Sequence, residues 1–237
     1  MSFIDDFFNT LQSYNEAFWP MIIITFLLGA VVTYLAAGKH RSSGKAISAI
    51  MSVLWIWSGL VFFIIYFGPM DAEFLGLVLP GVWYVGGVLF LIQGVLFLLL
   101  GVAKPSLSFK VGEDWRSAVG AVIVTYAMVI YPVIGFLTGY EFPRYPVFGI
   151  APCPLTIFTL GLLQWSDRKL PIAITVIPFI WGLMGIMPVL ALNVWADVGE
   201  ILSAVIGFPL VLHRNSKLDN SLFARIPPTP NPISSLH

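Results

Sequence analysis

Charge is scarce in this sequence. Only 10% of its 237 residues are Asp, Glu, Lys or Arg, where a soluble domain carries about a quarter. Hydrophobic residues make up 58% and mean hydropathy is +0.91. A water-soluble surface cannot be built from that composition. Net charge is zero, so the basic field that nucleic acid requires is missing and no nucleic-acid partner is expected. A single cysteine, Cys153, excludes an internal disulfide framework, and no Cys/His spacing suits structural zinc. Histidine is nearly as rare. His40 and His213 fall at the ends of apolar runs and His237 is the last residue, which leaves none mid-membrane as a base or metal ligand. No apolar run contains lysine, which excludes a retinal Schiff base, and no glycine-rich phosphate loop occurs. No cofactor is implied. Residues Met1 to Tyr14 have no basic stretch and no small-residue cleavage site, so they are expected to stay on the mature chain.

Long apolar runs are what the sequence has. A spanning helix needs about 20 mostly apolar residues, and seven stretches meet or approach that: Phe18 to Ala37, Ala46 to Phe67, Gly81 to Val102, Ser117 to Thr138, Tyr145 to Trp165, Leu170 to Leu192, and Trp195 to Leu212. The expected fold is all-α and polytopic, with seven transmembrane helices and the lipid bilayer as its main partner. Lys39, Arg41, Lys45, Lys104, Lys110, Arg116, Arg168, Lys169, Arg214, Lys217 and Arg225 fall on one side of that arrangement, and Arg144 alone on the other. Basic residues mark the cytoplasmic side, which predicts an outside N-terminus and a cytoplasmic C-terminus.

Before the first run, Phe3, Ile4, Phe7, Phe8, Leu11 and Tyr14 recur at helical spacing with polar residues between them. This predicts an interfacial amphipathic helix over residues 1–16. Residues 17–212 form the transmembrane domain. The tail, 213–237, ends in a proline-rich stretch and is read as flexible.

Several residues stand out inside the spans. Gly87, Gly94 and Gly101 repeat every seven positions, which stacks them into a packing seam. Gln93 beside them needs a polar partner, either a neighbouring helix or a solute. Pro152 and Pro154 predict a fifth helix broken near that point, which would leave irregular backbone over a buried cavity; the alternative is that Pro154 occupies the first turn of an ordinary helix. Cys153 between those prolines, with Met184 and Met187 three apart in the sixth span, is a candidate soft-metal site suited to Cu(I); the alternative is a small apolar side chain. In the seventh span Asn193, Asp197, Glu200, Ser203, Ala204 and Gly207 share one stripe, which should turn inward because carboxylates facing lipid are costly. Arg144 is the candidate partner that would hold Glu200 ionised. The candidate solute-binding set is therefore Gln93, Cys153, Asp197, Glu200 and Arg144. Pro20, Ile23, Thr25 and Leu28 also recur as Pro154, Ile157, Thr159 and Leu162, as in a parallel repeat of the SWEET-carrier kind.

Phe18-Trp19-Pro20 after the amphipathic start, and Ala151-Pro152-Cys153-Pro154 followed by Thr156-Ile157-Phe158-Thr159-Leu160-Gly161, together resemble an uncharacterised family of small bacterial multi-pass membrane proteins, some labelled permeases. The resemblance implies placement in the bacterial inner membrane and supplies no ligand and no catalytic residue. Three function classes follow. A small permease for an unknown solute or ion, with a cavity between the third, fifth and seventh helices, leads; a non-transporting sensor or assembly partner comes next. An intramembrane enzyme is third, because the usual nucleophile and base pairs are missing.

Overall fold

The structure, a computed structural model, describes residues 2–38 and 43–223, with side chains through Asp219. Lys39, His40, Arg41, Arg225, His237 and the proline-rich tail lie outside the described residues. In chain order the elements are α1 (Phe3–Ala17), α2 (Trp19–Ala37), α3 (Ser43–Phe67), a hairpin of β1 (Ala72–Phe74) and β2 (Leu77–Leu79), α4 (Val82–Ala103), α5 (Trp115–Leu137), α6 (Pro152–Gln164), α7 (Ala173–Leu192) and α8 (Trp195–Asp219). Six of these helices, α2, α3, α4, α5, α7 and α8, are long and apolar enough to cross a membrane. Each coincides with one of the expected runs. The last continues as helix through Phe223, well past the expected boundary at Leu212, so the first part of the tail is ordered.

The first part of the fifth run is non-helical, as the expected break near Pro152 and Pro154 implies, and the break falls at the helix start. Residues 141–151 are irregular and helix begins only at Pro152. The two prolines therefore start a helix and do not break one. Pro152 stands at its first position and Pro154 in its first turn, where a missing N–H leaves no bond unmade. With 13 residues, α6 reaches about 20 Å, short of a ~30 Å hydrocarbon core. Pro154 through Gln164 are all buried, the signature of a helix enclosed by protein on every side. Helices α5, α7 and α8 enclose it. Gly120 and Gly161 let α5 and α6 touch backbone to backbone: a Cβ on Gly161 would lie 2.9 Å from the Gly120 carbonyl oxygen. Trp55 Nε1 donates to Thr159 Oγ1 at 3.0 Å, Gln164 Nε2 to the Gly207 carbonyl at 3.0 Å, and Trp165 Nε1 to the Ser117 carbonyl at 3.0 Å. The supposed repeat partner of α6, helix α2, lies at the periphery with Ile23 and Leu27 exposed, so the two occupy unlike environments.

The glycine seam of α4 packs on α3 as its spacing predicts. A Cβ on Gly87 would meet the Gly59 carbonyl at 3.0 Å, and one on Gly94 the Ser52 carbonyl at 3.0 Å. On the outside of the bundle Leu60, Ile65, Val85, Val122, Phe136, Leu202 and Val205 are all exposed. An apolar surface of that extent matches lipid, not water.

The hairpin is a departure from the all-α expectation. Leu75 and Gly76 both take positive φ, 51° and 77°, the two-residue turn whose twist suits paired strands. Helix α1 is amphipathic as expected, but its apolar stripe is covered by the bundle itself: Phe7, Phe8, Leu11 and Tyr14 are buried. It also satisfies the irregular segment. Asn15 Nδ2 donates to the carbonyls of Pro143 at 2.6 Å and Tyr145 at 2.8 Å, and Tyr14 Oη donates to that of Ile150 at 2.8 Å. Thr25 Oγ1 does the same for Phe148 at 2.9 Å. At the opposite end, Val111 N donates to the Ala36 carbonyl, Lys110 N to that of Trp165 and Asp167 N to that of Ser108.

Candidate functional site

The site is built where three helix ends meet. Helix α5 contains a wider, π-type stretch at Tyr126–Ile130, closed by the Tyr131 N–H on the Tyr126 carbonyl. Pro132 follows and has no N–H of its own to offer, so the wider turn absorbs it. The same turn brings residues five apart toward one face. Tyr126 Oη then donates to the Ala196 carbonyl at 2.8 Å, and Tyr131 Oη to Asp197 Oδ1 at 2.7 Å. Helix α7 is interrupted at Gly185, and Asn193 ends it in the left-handed conformation. A tight 3-10 turn, Trp195–Asp197, then opens the long run of α8.

Asp197 and Glu200 sit three apart at that helix start, an arrangement that ordinarily closes a capping box on the first backbone N–H groups. It does not do so here. Glu200 is 0% exposed and Asp197 1% exposed, and Glu200 Oε1, Glu200 Oε2 and Asp197 Oδ2 find no hydrogen-bond partner among the described residues. Glu200 Oε2 lies so close to Gly185 that a Cβ there would come within 2.8 Å of it. The Cys153 sulfur joins them from the first turn of α6: one ligand atom from each of Cys153, Asp197 and Glu200 lies within 4.8 Å of the others.

All three residues line a cavity of about 160 Å³, whose wall also includes Phe7 of α1, Glu73 of the hairpin, Trp83 of α4 and Trp181, Met184 and Met187 of α7. Its volume falls below the ~300 Å³ at which pockets for drug-sized ligands begin, and suits an ion or a very small solute. No Lys, Arg or His lines it among the described residues. A buried carboxylate with neither a cation nor a donor, as Glu200 is among the described residues, is among the most costly groups a protein can hold, and such groups mark function more often than packing.

A family model matches residues 4–221, that of DUF6064, a family of unknown function. The chain belongs to this family. No curated protein and no solved structure matches it. The DUF6064 description names no activity, and neither the proline-cysteine motif nor a permease label is part of it.

The structure of this DUF6064 member brings together some of the expected site residues and separates others. Cys153, Asp197, Glu200, Met184 and Met187 share the cavity. Ser203, Ala204 and Gly207 turn inward with them, while Asn193 leaves the stripe because it ends the preceding helix and is exposed. Gln93 lies elsewhere: it is buried and donates to the Ile174 carbonyl at 3.0 Å, an interhelical tie. Arg144 is exposed, stacks over the Phe8 ring of α1 at 5.9 Å and does not line the cavity, so the expected pairing with Glu200 is not formed. The cavity accordingly lies between α4, α6, α7 and the start of α8, with α1 and the hairpin over it, and without Gln93. Tyr131, Tyr126 and Gly185 were not singled out from sequence. The signal for the tyrosines was their spacing of five just ahead of Pro132.

Proposed function

We propose that the protein is a seven-crossing inner-membrane protein, N-terminus outside and C-terminus cytoplasmic, that works as a small permease for a cation bound by Asp197 and Glu200. The observation that carries this reading is the set of three unpartnered carboxylate oxygens on a cavity with no basic residue. A negative site of that kind is stabilised when a cation enters it. The seventh crossing is α6 together with residues 141–151, whose irregular backbone is tolerated at depth because α1 and α2 supply its hydrogen bonds. The orientation follows from the eleven basic residues on one side against Arg144 on the other.

A second reading is favoured by the position of the cavity wall. The wall residues come from the parts of α3, α4 and α7 nearest the hairpin and Trp195, while Trp55, Gln164 and Trp165 hydrogen-bond around α6 on the other side. That arrangement suits a protein that binds its ligand from outside and passes on a signal without transport.

Charge-displacement currents on protein reconstituted over a solid support test both. Concentration jumps of Na⁺, K⁺, methylammonium, Mg²⁺ and Zn²⁺ are applied to wild type, Asp197→Asn and Glu200→Gln. The permease reading expects a current with at least one cation that both variants lose, together with uptake of that cation into vesicles. Current without uptake supports the sensor. Wild-type responses absent for every cation reject a cation site of either kind.

A further inference from the structure

The cluster at the floor of the cavity has a donor set of its own, and it points to a class of ion more specific than the permease reading on which it rests. We propose that Cys153, Asp197 and Glu200 form a binding site for a thiophilic divalent transition-metal ion of the Zn²⁺ class. Three independent features converge. The three ligand atoms already lie within 4.8 Å of one another; a tetrahedral ion with bonds of about 2.0–2.3 Å needs its ligands roughly 3.5 Å apart, a closure that side-chain rotation supplies. The free carboxylate atoms, Asp197 Oδ2 and both Glu200 oxygens, are the ones left without partners. Asp197 Oδ1 is held by Tyr131 Oη at 2.7 Å, the outer hydrogen bond that orients a ligating carboxylate and leaves its other oxygen for the metal.

The donor types narrow the ion. Mg²⁺ and Ca²⁺ take oxygen ligands, six or more, and gain nothing from sulfur. Cu(I), the ion suggested by Cys153 with Met184 and Met187 alone, prefers an all-sulfur shell, and two carboxylates do not suit it. One thiolate with two carboxylates is a mixed shell matched to Zn²⁺, Co²⁺ or Cd²⁺. Three protein ligands leave a fourth position facing the cavity, open to water or to the thioethers of Met184 and Met187 on its wall. Ligation requires the thiolate and both carboxylates deprotonated, so metal uptake releases any protons the empty site holds to bulk.

Co²⁺ titration of the purified protein in detergent tests this, with Zn²⁺ competition and a proton-release measurement in weak buffer. The expected result is one equivalent of Co²⁺ with a sulfur-to-cobalt charge-transfer band, displaced by Zn²⁺ and not by Mg²⁺. Cys153→Ser should abolish the band and weaken binding at least ~10-fold, and Tyr131→Phe should keep the band while weakening binding by roughly 10–100-fold. Wild-type protein that binds no Co²⁺, or binds it without the band, overturns the proposal whatever the variants do. Equal affinity in a Cys153→Ser protein with unchanged melting also overturns it. If Co²⁺ and Zn²⁺ fail while Na⁺, K⁺ or methylammonium still drive currents that Glu200→Gln removes, the metal assignment falls and the permease reading stands. If every cation fails, both fall.

Discussion

Asn15 is the residue on which the packing of α1 against residues 141–151 depends. Its side chain is fully buried and its single NH₂ group serves two carbonyls, those of Pro143 and Tyr145. Asn15→Leu keeps the branched outline of the side chain and removes both donors. Each carbonyl left buried without a partner costs about 1–3 kcal/mol, or about 2–6 for the pair. Against this, Asn15 Oδ1 is itself buried and unpartnered, so removing it returns about 1–3 kcal/mol on the same scale. The net loss is about 1–3 kcal/mol, which for a chain of this size lowers the melting temperature by roughly 2–12 °C. Tryptophan fluorescence on heating in detergent reads it, with Gln12→Ala as a control that removes only an exposed bond to Glu16. Cys153, the one cysteine, gives a second readout: loosening residues 143–150 should speed its labelling by a water-soluble thiol reagent. An Asn15→Leu protein that melts within about 2 °C of wild type, with unchanged labelling, would refute the claim that α1 holds the irregular segment.

Three further outcomes are expected. Gly161→Leu forces a side chain into the 2.9 Å gap before the Gly120 carbonyl and should cost about 1–3 kcal/mol or more, read as loss of monodisperse protein on size-exclusion chromatography; normal yield and melting would mean the α5–α6 contact is not tight. Asp114 caps α5 by accepting from Ser117 N at 2.9 Å, and the bonds from Ser117 hold its carboxyl below the usual range. Its contribution is therefore full above its unfolded pKa near ~4 and declines as pH falls through the lower folded value. Asp114→Ala should lower stability by about 0.5–2 kcal/mol at neutral pH, with a smaller difference from wild type at strongly acid pH; a gap that widens on acidification contradicts the assignment. Reporter fusions after Lys45, Lys110, Lys169 and Lys217 should read cytoplasmic, and those after Glu73 and Glu141 periplasmic. A periplasmic readout for the C-terminal tail rejects the seven-crossing count.

The long helices were legible because a bilayer imposes length and apolarity on each segment separately, and both can be counted. The inward turn of Glu200 and Ser203 was legible for the same reason, since lipid excludes their stripe. What could not be read was anything set by segments meeting across the chain. Residues 141–151 carry no periodicity, and α1 and α2, more than a hundred positions earlier, explain their path. Arg144 illustrates the point: composition made it the one outer cation, while the ring of Phe8 decides where it lies. Cys153, Asp197 and Glu200 were grouped from sequence as the polar side chains of apolar runs, but the geometry that joins them, the first turn of α6 facing the first turn of α8, was not legible.

The full enclosure of α6 constrains the order in which the chain can be assembled. A 13-residue segment too short to span by itself has no stable resting place in lipid. When it leaves the ribosome, α7 and α8, two of its three covering helices, have yet to be made. Tyr14 and Asn15 face the mirror problem, because they are synthesised first and must wait for carbonyls near residue 150. The start and the middle of the chain therefore have to wait, unfinished, until the last helix arrives.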